Sequence, residues 1–454
     1  MRPSEARKKK FAVIGGARSG LAVAKLLRAR GADVFLSEKA PAKQMSQTVD
    51  ELERLKLSHE FGGNTLRVLE ADIIVLSPGV PSDIPIIKEA KAKAVKVVSE
   101  IEVASWFCPA PIIAITGTNG KTTTTALIGR IFEDAKRTAM TAGNIGIAFS
   151  QIVDQLTQQS VAIVEVSSFQ LDHIESFRPK VTVLLNITPD HLDRYQQSFE
   201  LYIASKCRVF ENQRASDYVI YNMNDDVASS NVEKFVDPRV KKLPFSKEKP
   251  VNEGAFVAAN RLKTIVDGNE SDVIATGDLS VRGQHNLYNA MAASLVAKVM
   301  DISTASLRST LRNFKGVEHR LEFIRIVNGV TFVNDSKATN VESVWYALQS
   351  FDQPIVAILG GRDKGNDYSR LFGVVKEHVK HIVGIGESAE NVVGVFTPIV
   401  GVTRATTMEE AVHAAAALAS PGDVVLLSPA CASFDWFENY EQRGRVFKQI
   451  VMNL

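Results

Sequence analysis

Short apolar runs separated by amphipathic stretches set the rhythm of this chain. Residues 11–15 read as a buried strand, 20–30 as a helix, 33–36 as a second strand and 45–57 as a helical stretch, with further strands at 71–76 and 95–98. The alternation resumes after Ala110-Pro111. An apolar strand around Ile113-Ala114-Ile115 leads into a helix through Ala126, Leu127, Ile128 and Ile131, and strands follow at 160–166, 181–187 and 218–221. A third such series has strands at 330–333, 355–359, 382–385 and 424–427, preceded by a strongly helical segment that starts near 283 and runs to about 299. Short apolar strands alternating with helices predict an α/β chain whose parallel sheets are covered on both faces. On such sheets, ligands bind beyond the carboxyl ends of the strands. The polar region 223–280 reads as variable strands and loops and suggests no function of its own.

Composition narrows this picture only slightly. A chain of 454 residues is too long for one core, and two to four domains are expected. The net charge of +2, with 45% apolar and 23% charged residues, exerts no general pull toward nucleic acid or a membrane surface, so partners must be read from sites. Cys108, Cys207 and Cys431 are far apart and lack CxxC spacing, which argues against a disulfide framework or a zinc site and for a reducing cytoplasm. The run Arg7-Lys8-Lys9-Lys10 precedes an apolar stretch too short for a signal sequence, and no apolar run reaches spanning length.

Candidate chemistry concentrates where strands end. In Thr116-Gly117-Thr118-Asn119-Gly120-Lys121-Thr122-Thr123 a buried strand breaks into a glycine loop that opens a helix. Glycines let backbone N–H groups turn toward an anion, the helix N-terminus adds partial positive charge, and Lys121 adds a full one. A hydroxyl directly after the lysine, here Thr122, is the usual magnesium ligand in such loops. The general pattern G-x-x-x-x-G-K-[ST] is incomplete, because Ile115 stands where its first glycine would fall. The turn alone is also compatible with a plain strand-to-helix connection. Gly15-Gly16-Ala17-Arg18-Ser19-Gly20 lacks the middle glycine of a dinucleotide fingerprint, yet its helix N-terminus suits a phosphate-bearing ligand. Ser77-Pro78-Gly79 comes after another strand end and could share that cleft.

Glu165, at the end of a strand near the glycine loop, is placed as a Walker-B carboxylate would be and is the first magnesium candidate; His191 is the second. Asn144 lies in the loop between them and the phosphate-loop helix. Lys206 by residue chemistry alone is a solvated helix lysine. Amides after Gly283 could read a base or ribose, and Arg320 could reach a triphosphate as a fixed cation. In the third series, strand ends carry Asn334-Asp335-Ser336-Lys337-Ala338-Thr339-Asn340, Gly360-Gly361-Arg362-Asp363-Lys364-Gly365 and Ser428-Pro429-Ala430-Cys431-Ala432-Ser433-Phe434. Lysines and hydroxyls gathered at one sheet edge suit a small dicarboxylate, although each loop by itself could be only a capped turn.

Together these stretches resemble the Mur ligases of bacterial peptidoglycan synthesis, over nearly the whole chain. TGTNGKTT is shared with folylpolyglutamate synthetases and carries only the superfamily. EVSSFQL, ITPDHLDRY, GQHNLYNA, NDSKATN and SPACASFDWFENYEQRG are similar to the branch that adds D-glutamate. The resemblance implies three domains: a Rossmann-like domain for the UDP end of the substrate (1–109), a central P-loop-type ATPase domain with a mainly parallel sheet (110–315), and a Rossmann-like amino-acid-binding domain that closes (316–454). It implies ATP-driven amide formation between UDP-N-acetylmuramoyl-L-alanine and D-glutamate through an acyl phosphate, in the cytoplasm, with two magnesium ions (or manganese) and a monomeric protein.

By the same resemblance, Gly117, Thr118, Asn119, Gly120, Lys121, Thr122 and Thr123 cradle ATP, with Asn286, Asn289, Arg320 and Asp335 completing its site. Thr122 and Glu165 hold one metal, and His191 with a carbamylated Lys206 holds the other; Lys121, His191 and Lys206 are the catalytic set. Ala17, Arg18, Ser37 and Glu38 take the uracil end, Ser77, Gly79, Asn144 and Ser167 take other parts of that substrate, and Lys337, Thr339, Lys364, Ser433, Phe434 and Tyr440 take D-glutamate. Where family members often carry an Asp-Thr pair after the second strand, this chain has Ser37-Glu38-Lys39. The alternative from another class is a nucleotide-binding regulatory or NAD-sensing module, which the alanine at 17 opposes.

Overall fold

Alternate residues of β1 (Lys10–Ile14) serve two different cores, because successive side chains on a strand point to opposite faces. Phe11 and Val13 pack with Val23, Leu27, Val34 and Leu36, whereas Ala12 and Ile14 pack with Ile74, Leu76, Ile86 and Ile87. A strand buried on both faces has no polar alternation, hence the continuous apolar reading. With β2 (Asp33–Glu38), β3 (Ser58–Phe61), β4 (Ile73–Leu76) and β5 (Lys96–Ser99) it forms a parallel sheet in the order β3-β2-β1-β4-β5. The computed structural model describes residues 3–144, 146–281, 283–363 and 365–454.

The central sheet has nine strands: β6 (Ile112–Thr116), β7 (Ala139–Gly143), β8 (Val161–Glu165), β9 (Val181–Leu184), β10 (Tyr218–Asn222), β11 (Lys241–Ser246), β12 (Gly254–Ala258), β13 (Arg261–Val266) and β14 (Asn269–Ala275). Their order is β14-β13-β12-β11-β10-β9-β6-β8-β7, parallel from β7 through β12 and antiparallel across β12, β13 and β14. The region 223–280 thus contributes four strands to this sheet. The strand expected over 181–187 ends at Leu184, where Leu185 and Asn186 turn toward the glycine loop.

Within this part of the chain, helix Glu100–Phe107 fastens the first sheet to the second. The Glu102 carboxylate accepts from the backbone N–H of Glu175, Ser176 and Phe177 at 3.0, 2.9 and 2.7 Å, and from Trp106 Nε1 at 2.8 Å. The fully buried Glu100 accepts from Ser150 N at 2.6 Å, and its burial holds the carboxyl above its ordinary pKa. These two sheets share one compact unit, Met1–Asp278 with Tyr288–Arg312.

The second unit comprises Leu279–Leu287 and Asn313–Leu454. Its six strands, β15 (Glu322–Val327), β16 (Val330–Asn334), β17 (Ile355–Gly360), β18 (Val379–Ile385), β19 (Gly401–Arg404) and β20 (Val424–Leu427), are ordered β15-β16-β20-β17-β18-β19. Among the described strand pairs of this sheet, β15–β16 is antiparallel and the others are parallel. Ile355, Ala357 and Leu359 face one core and Val356 and Ile358 the other, the same two-sided burial as in β1. Among the described residues no helix is long and apolar enough to cross a membrane.

Candidate active site

Strand β6 is wholly buried and sits between β8 and β9, third from the β7 end of the sheet, so the glycine loop that continues it emerges at the carboxyl edge flanked by the ends of those two strands. Gly120 has φ +86° and starts helix Lys121–Asp134; a Cβ there would stand 2.6 Å from Asn289 Oδ1 and 3.1 Å from Leu185 Cδ1. The left-handed conformation and the lack of space both require glycine. Thr118 N donates to Asn186 O at 3.0 Å and Asn119 N to Asn186 Oδ1 at 2.8 Å, which pins the loop to the end of β9. Thr118 Oγ1 donates to Thr188 O at 2.9 Å and lies 3.1 Å from Tyr202 Oη. Lys121 Nζ folds back onto the carbonyls of Gly117 (2.8 Å) and Thr118 (2.7 Å). Thr122 and the buried Thr123 occupy the first turn of the helix.

Register brings the acidic candidate alongside. Glu165 pairs with Ile115 across β6 and β8 and with Gly143 across β7 and β8, so the glycine loop, Asn144 and Glu165 leave the sheet side by side. Asn144 N donates to Glu165 O at 2.9 Å. Glu165 is buried, and its Oε1 has no hydrogen-bond partner among the described residues. A buried carboxylate oxygen left unmatched is costly and signals a missing positive partner.

Lys206, read from residue chemistry as a solvated lysine, is instead enclosed on helix Phe199–Cys207, 2% exposed. Its Nζ donates to Gly117 O at 2.9 Å and stands 4.7 Å from the centre of the Tyr202 ring. Burial, and then the neighbouring charge of Lys121, hold the amine well below the ordinary lysine pKa, with Asp190 and Glu165 among the groups that oppose the shift. Lys121, Asp190 and Glu165 are thus all close enough to Lys206 to act on it electrostatically. His191 is exposed, with φ +52°; its N–H donates to Asp190 Oδ1 at 2.9 Å and its ring lies edge-on to Phe169, centroids 6.1 Å apart. Asp190 and Tyr202 carry no role in the sequence reading; the Thr-Pro-Asp-His turn is the available signal for the first, and nothing local marks the second.

Other assigned residues have engagements of their own. Ser167 caps helix Ser168–Leu171 in a reciprocal box with Gln170. Asn289 Oδ1 accepts from Thr124 Oγ1 at 3.1 Å, which sets it against the phosphate-loop helix; Asn286 lies one turn earlier on helix Gln284–Val299, and both are buried.

At the carboxyl edge of the first sheet, a cavity of about 530 Å³ is lined by Gly15, Glu38, Lys39, Asn64, Gly79 and Ile84, among others. Of these, Glu38 and Gly79 are expected from sequence; Lys39 and Asn64 are not. The Glu38 carboxylate is fixed by N–H groups of Gly16 and Ala40. Ser37 is buried behind the wall, its hydroxyl 2.7 Å from both Glu60 Oε1 and Asn64 Oδ1, and Ser77 Oγ donates to Gly15 O at 2.9 Å. Ala17 and Arg18 are exposed at the start of helix Arg18–Ala29, outside that lining.

In the second unit, adjacent strands β16, β20 and β17 bring their three loops together. Asp335 is buried, accepts from Ser428 Oγ at 2.9 Å and Leu321 N at 3.2 Å, and is pushed up to about 6 by burial against the opposing charge of Arg320. Arg320 Nε and Ser433 Oγ are buried without a hydrogen-bond partner among the described residues. Lys337 Nζ lies 5.5 Å from the Tyr440 ring centre; Thr339 is half-buried and Phe434 exposed. Lys364 lies outside the described residues. Arg443, unassigned from sequence, is 1% exposed and ties the loops by donating to Ser336 O (2.8 Å), Cys431 O (3.1 Å) and Ala432 O (3.3 Å). Glu318, His319 and Glu322 also have ligand atoms within 4.8 Å of one another, but Lys448 already forms ion pairs with both carboxylates.

Three family domains match in order along the chain: the Mur ligase MurD-like N-terminal domain over residues 9–99, the Mur ligase middle domain over 115–297, and the Mur ligase glutamate ligase domain over 319–431. The chain is 48% identical to the UDP-N-acetylmuramoylalanine–D-glutamate ligase of Salinibacter ruber, covering 100% of both chains. It is 46% identical to the enzyme of the same name from Chloroherpeton thalassium, again over 100% of each. Among solved structures it is similar to UDP-N-acetylmuramate-alanine ligase MurC from Thermotoga maritima, with a TM-score of 0.61 at 18% identity and coverage of 98% and 99%, a likeness of fold. Since relatives of this identity align from end to end and all three domain families are met in sequence, the chain belongs to the Mur ligase family.

Proposed function

We propose that this chain is an ATP-dependent amide-forming ligase that joins D-glutamate to UDP-N-acetylmuramoyl-L-alanine in peptidoglycan precursor synthesis. The observation that carries the reading is the group at the end of β6 and β8, in which the half-buried Lys121, the buried and unmatched Glu165 carboxylate and the enclosed Lys206 amine gather at one glycine loop. The names of the full-length relatives supply the substrates. Residues 1–109, 110–315 and 316–454 serve in turn the UDP end of the substrate, ATP and the amino acid.

In this reaction the alanyl carboxylate attacks the γ-phosphorus and ADP departs, leaving an acyl phosphate. The amine of D-glutamate adds to that carbonyl, and the tetrahedral adduct expels phosphate. Two anions must first approach each other. Lys121 and the N-terminus of its helix offset that repulsion, with the loop before them fixed in place by the Thr118–Thr188 and Asn119–Asn186 bonds. Thr122, Glu165, His191 and Lys206 form a donor set suited to magnesium, which when bound would neutralise phosphate charge. The Glu165 oxygen fits that role because it is buried and unmatched. Lys206 fits it as a carbamate: burial favours the uncharged form of its amine, and that form adds to carbon dioxide, forming an N–C bond and releasing one proton, and becomes an anion. Asn289, Asn286, Arg320 and Asp335 would take the nucleotide, and Lys337, Thr339, Lys364, Ser433, Phe434 and Tyr440 the D-glutamate.

The test is phosphate release with Mg-ATP and UDP-N-acetylmuramoyl-L-alanine, comparing D-glutamate with L-glutamate, D-aspartate, L-alanine and no amino acid. Release that depends on D-glutamate supports the reading. Equal release with another amino acid overturns the specificity, and none with any overturns the reaction.

A further inference from the structure

The turn that carries His191 also reaches the wall of the first sheet's cavity, through the side chain of Arg194. Arg194 sits in the turn Leu192–Tyr195, which is bracketed by left-handed residues: His191 at φ +52° before it, Gln196 and Gln197 at +55° and +61° after it. Three non-glycine residues in that region are unfavourable, and they persist only where surrounding contacts hold them. Arg194 supplies such contacts. Its Nη1 donates to Pro78 O at 3.2 Å and its Nη2 to Gly79 O at 3.3 Å, so one planar guanidinium spans two successive carbonyls. Its Cζ lies 4.6 Å from the centre of the Phe169 ring, and that ring meets His191 edge-on. Gly79 lines the cavity. A continuous path therefore runs from the cavity wall through Arg194 and Phe169 to His191.

The loop is strapped a second time, by Ser82 Oγ at 2.9 Å from His173 Nε2, but that strap leads into helix Ser168–Leu171 and the Glu102 anchor rather than to the His191 turn. The two contacts differ in kind. His173 is buried and structural, whereas Arg194 is exposed, so removing it opens no core cavity.

We propose that Arg194 is a positioning residue that fixes the substrate-binding loop 77–81 against the catalytic turn, so that seating of the UDP-bearing substrate and placement of His191 are set by one side chain. The inference rests on the reaction and substrate proposed above. A substrate held at one end in the first-sheet cavity and reacting at the glycine loop needs the distance between them fixed, and a flat cation with two parallel donors and an aromatic backing fixes it better than a flexible ammonium.

The experiment compares the full-length wild type with Arg194→Ala, Arg194→Lys and Phe169→Leu. Arg194→Ala is expected to raise KM for UDP-N-acetylmuramoyl-L-alanine at least 10-fold and to raise the half-saturating Mn²⁺ concentration for turnover at least 5-fold, with KM for D-glutamate within 2-fold of wild type. Arg194→Lys, which keeps one donor and the cation over Phe169, should recover most of the Mn²⁺ effect and less of the KM effect. Phe169→Leu should shift Mn²⁺ alone. Amide hydrogen exchange of the same proteins supplies a readout independent of turnover: Arg194→Ala should speed exchange in peptides covering 77–81 and 188–192 while the strands keep their protection. KM and Mn²⁺ values within 2-fold of wild type would overturn the inference while leaving the reaction standing. If the wild type itself fails to turn over, the proposed reaction falls, and unchanged exchange in both peptides then removes this inference as well.

Discussion

Replacing Lys206 by methionine separates a catalytic lysine from a structural one. The amine is enclosed and, among the described residues, has one hydrogen bond, to Gly117 O. That carbonyl also accepts from Lys121 Nζ at 2.8 Å, so removing the Lys206 amine leaves no orphaned acceptor. The lost bond is worth about 1 kcal/mol net, whereas enclosing an amine with its other donors unmatched costs about 1–3 kcal/mol. Methionine has nearly the same length and removes that cost, so Lys206→Met should be more stable than wild type by about 1 kcal/mol, a rise in Tm of roughly 2 °C. Turnover should fall at least about 1,000-fold, since neither an amine nor a carbamate remains, a loss of about 4 kcal/mol in transition-state stabilisation. Urea or thermal unfolding in EDTA and carbon-dioxide-depleted buffer measures the first quantity, and phosphate release the second. Lys206→Ala leaves room for a small carboxylate, so bicarbonate should restore part of its activity but none of that of Lys206→Met. A methionine variant that is clearly less stable and still active would refute the reasoning, since the amine would then be structural.

Three further substitutions test other parts of the structure. Gly143→Ala should cost about 2–3 kcal/mol and at least 100-fold in turnover: the residue has φ +125°, and a Cβ would lie 2.1 Å from the backbone oxygen of Glu165, which must move with its carboxylate; unfolding and phosphate release measure both. Glu102→Ala, read by urea unfolding, should lose about 2–4 kcal/mol because the buried N–H of Phe177 and the part-buried N–H groups of Glu175 and Ser176 lose their acceptor, and Glu102→Gln should lose less. His173 is held down to about 4 by burial and by the cations Lys91 and Arg208, against 6.5 when free. Between those values the unfolded chain binds a proton that the native chain refuses, so this residue's contribution is present near pH 7 and is lost as pH falls. It amounts to about 2 kcal/mol between pH 7 and 5. Wild type minus His173→Gln in urea unfolding at the two pH values should show that difference, and equal slopes would refute it.

What the sequence determined by itself was local. The apolar strands of β1, β6 and β17, the helix after Gly120 and the glycine loop are legible because strand and helix periods and the need for left-handed glycine are written within a few residues. The family motifs likewise lie in single stretches, and they placed the candidate chemistry at strand ends. What only the tertiary structure decided was environment and partnership. Lys206 is solvated or enclosed according to whether Gly117, 89 residues away, and the Tyr202 ring close over it. Glu165 meets the glycine loop through the register of β6 with β8, and Arg443 finds its carbonyls on two other loops only because β16, β20 and β17 are neighbours in the sheet. The Arg194 contact to Pro78 and Gly79 spans more than a hundred residues. Burial and hydrogen bonding between distant segments depend on strand order and register, which a linear pattern of apolar and polar residues does not encode.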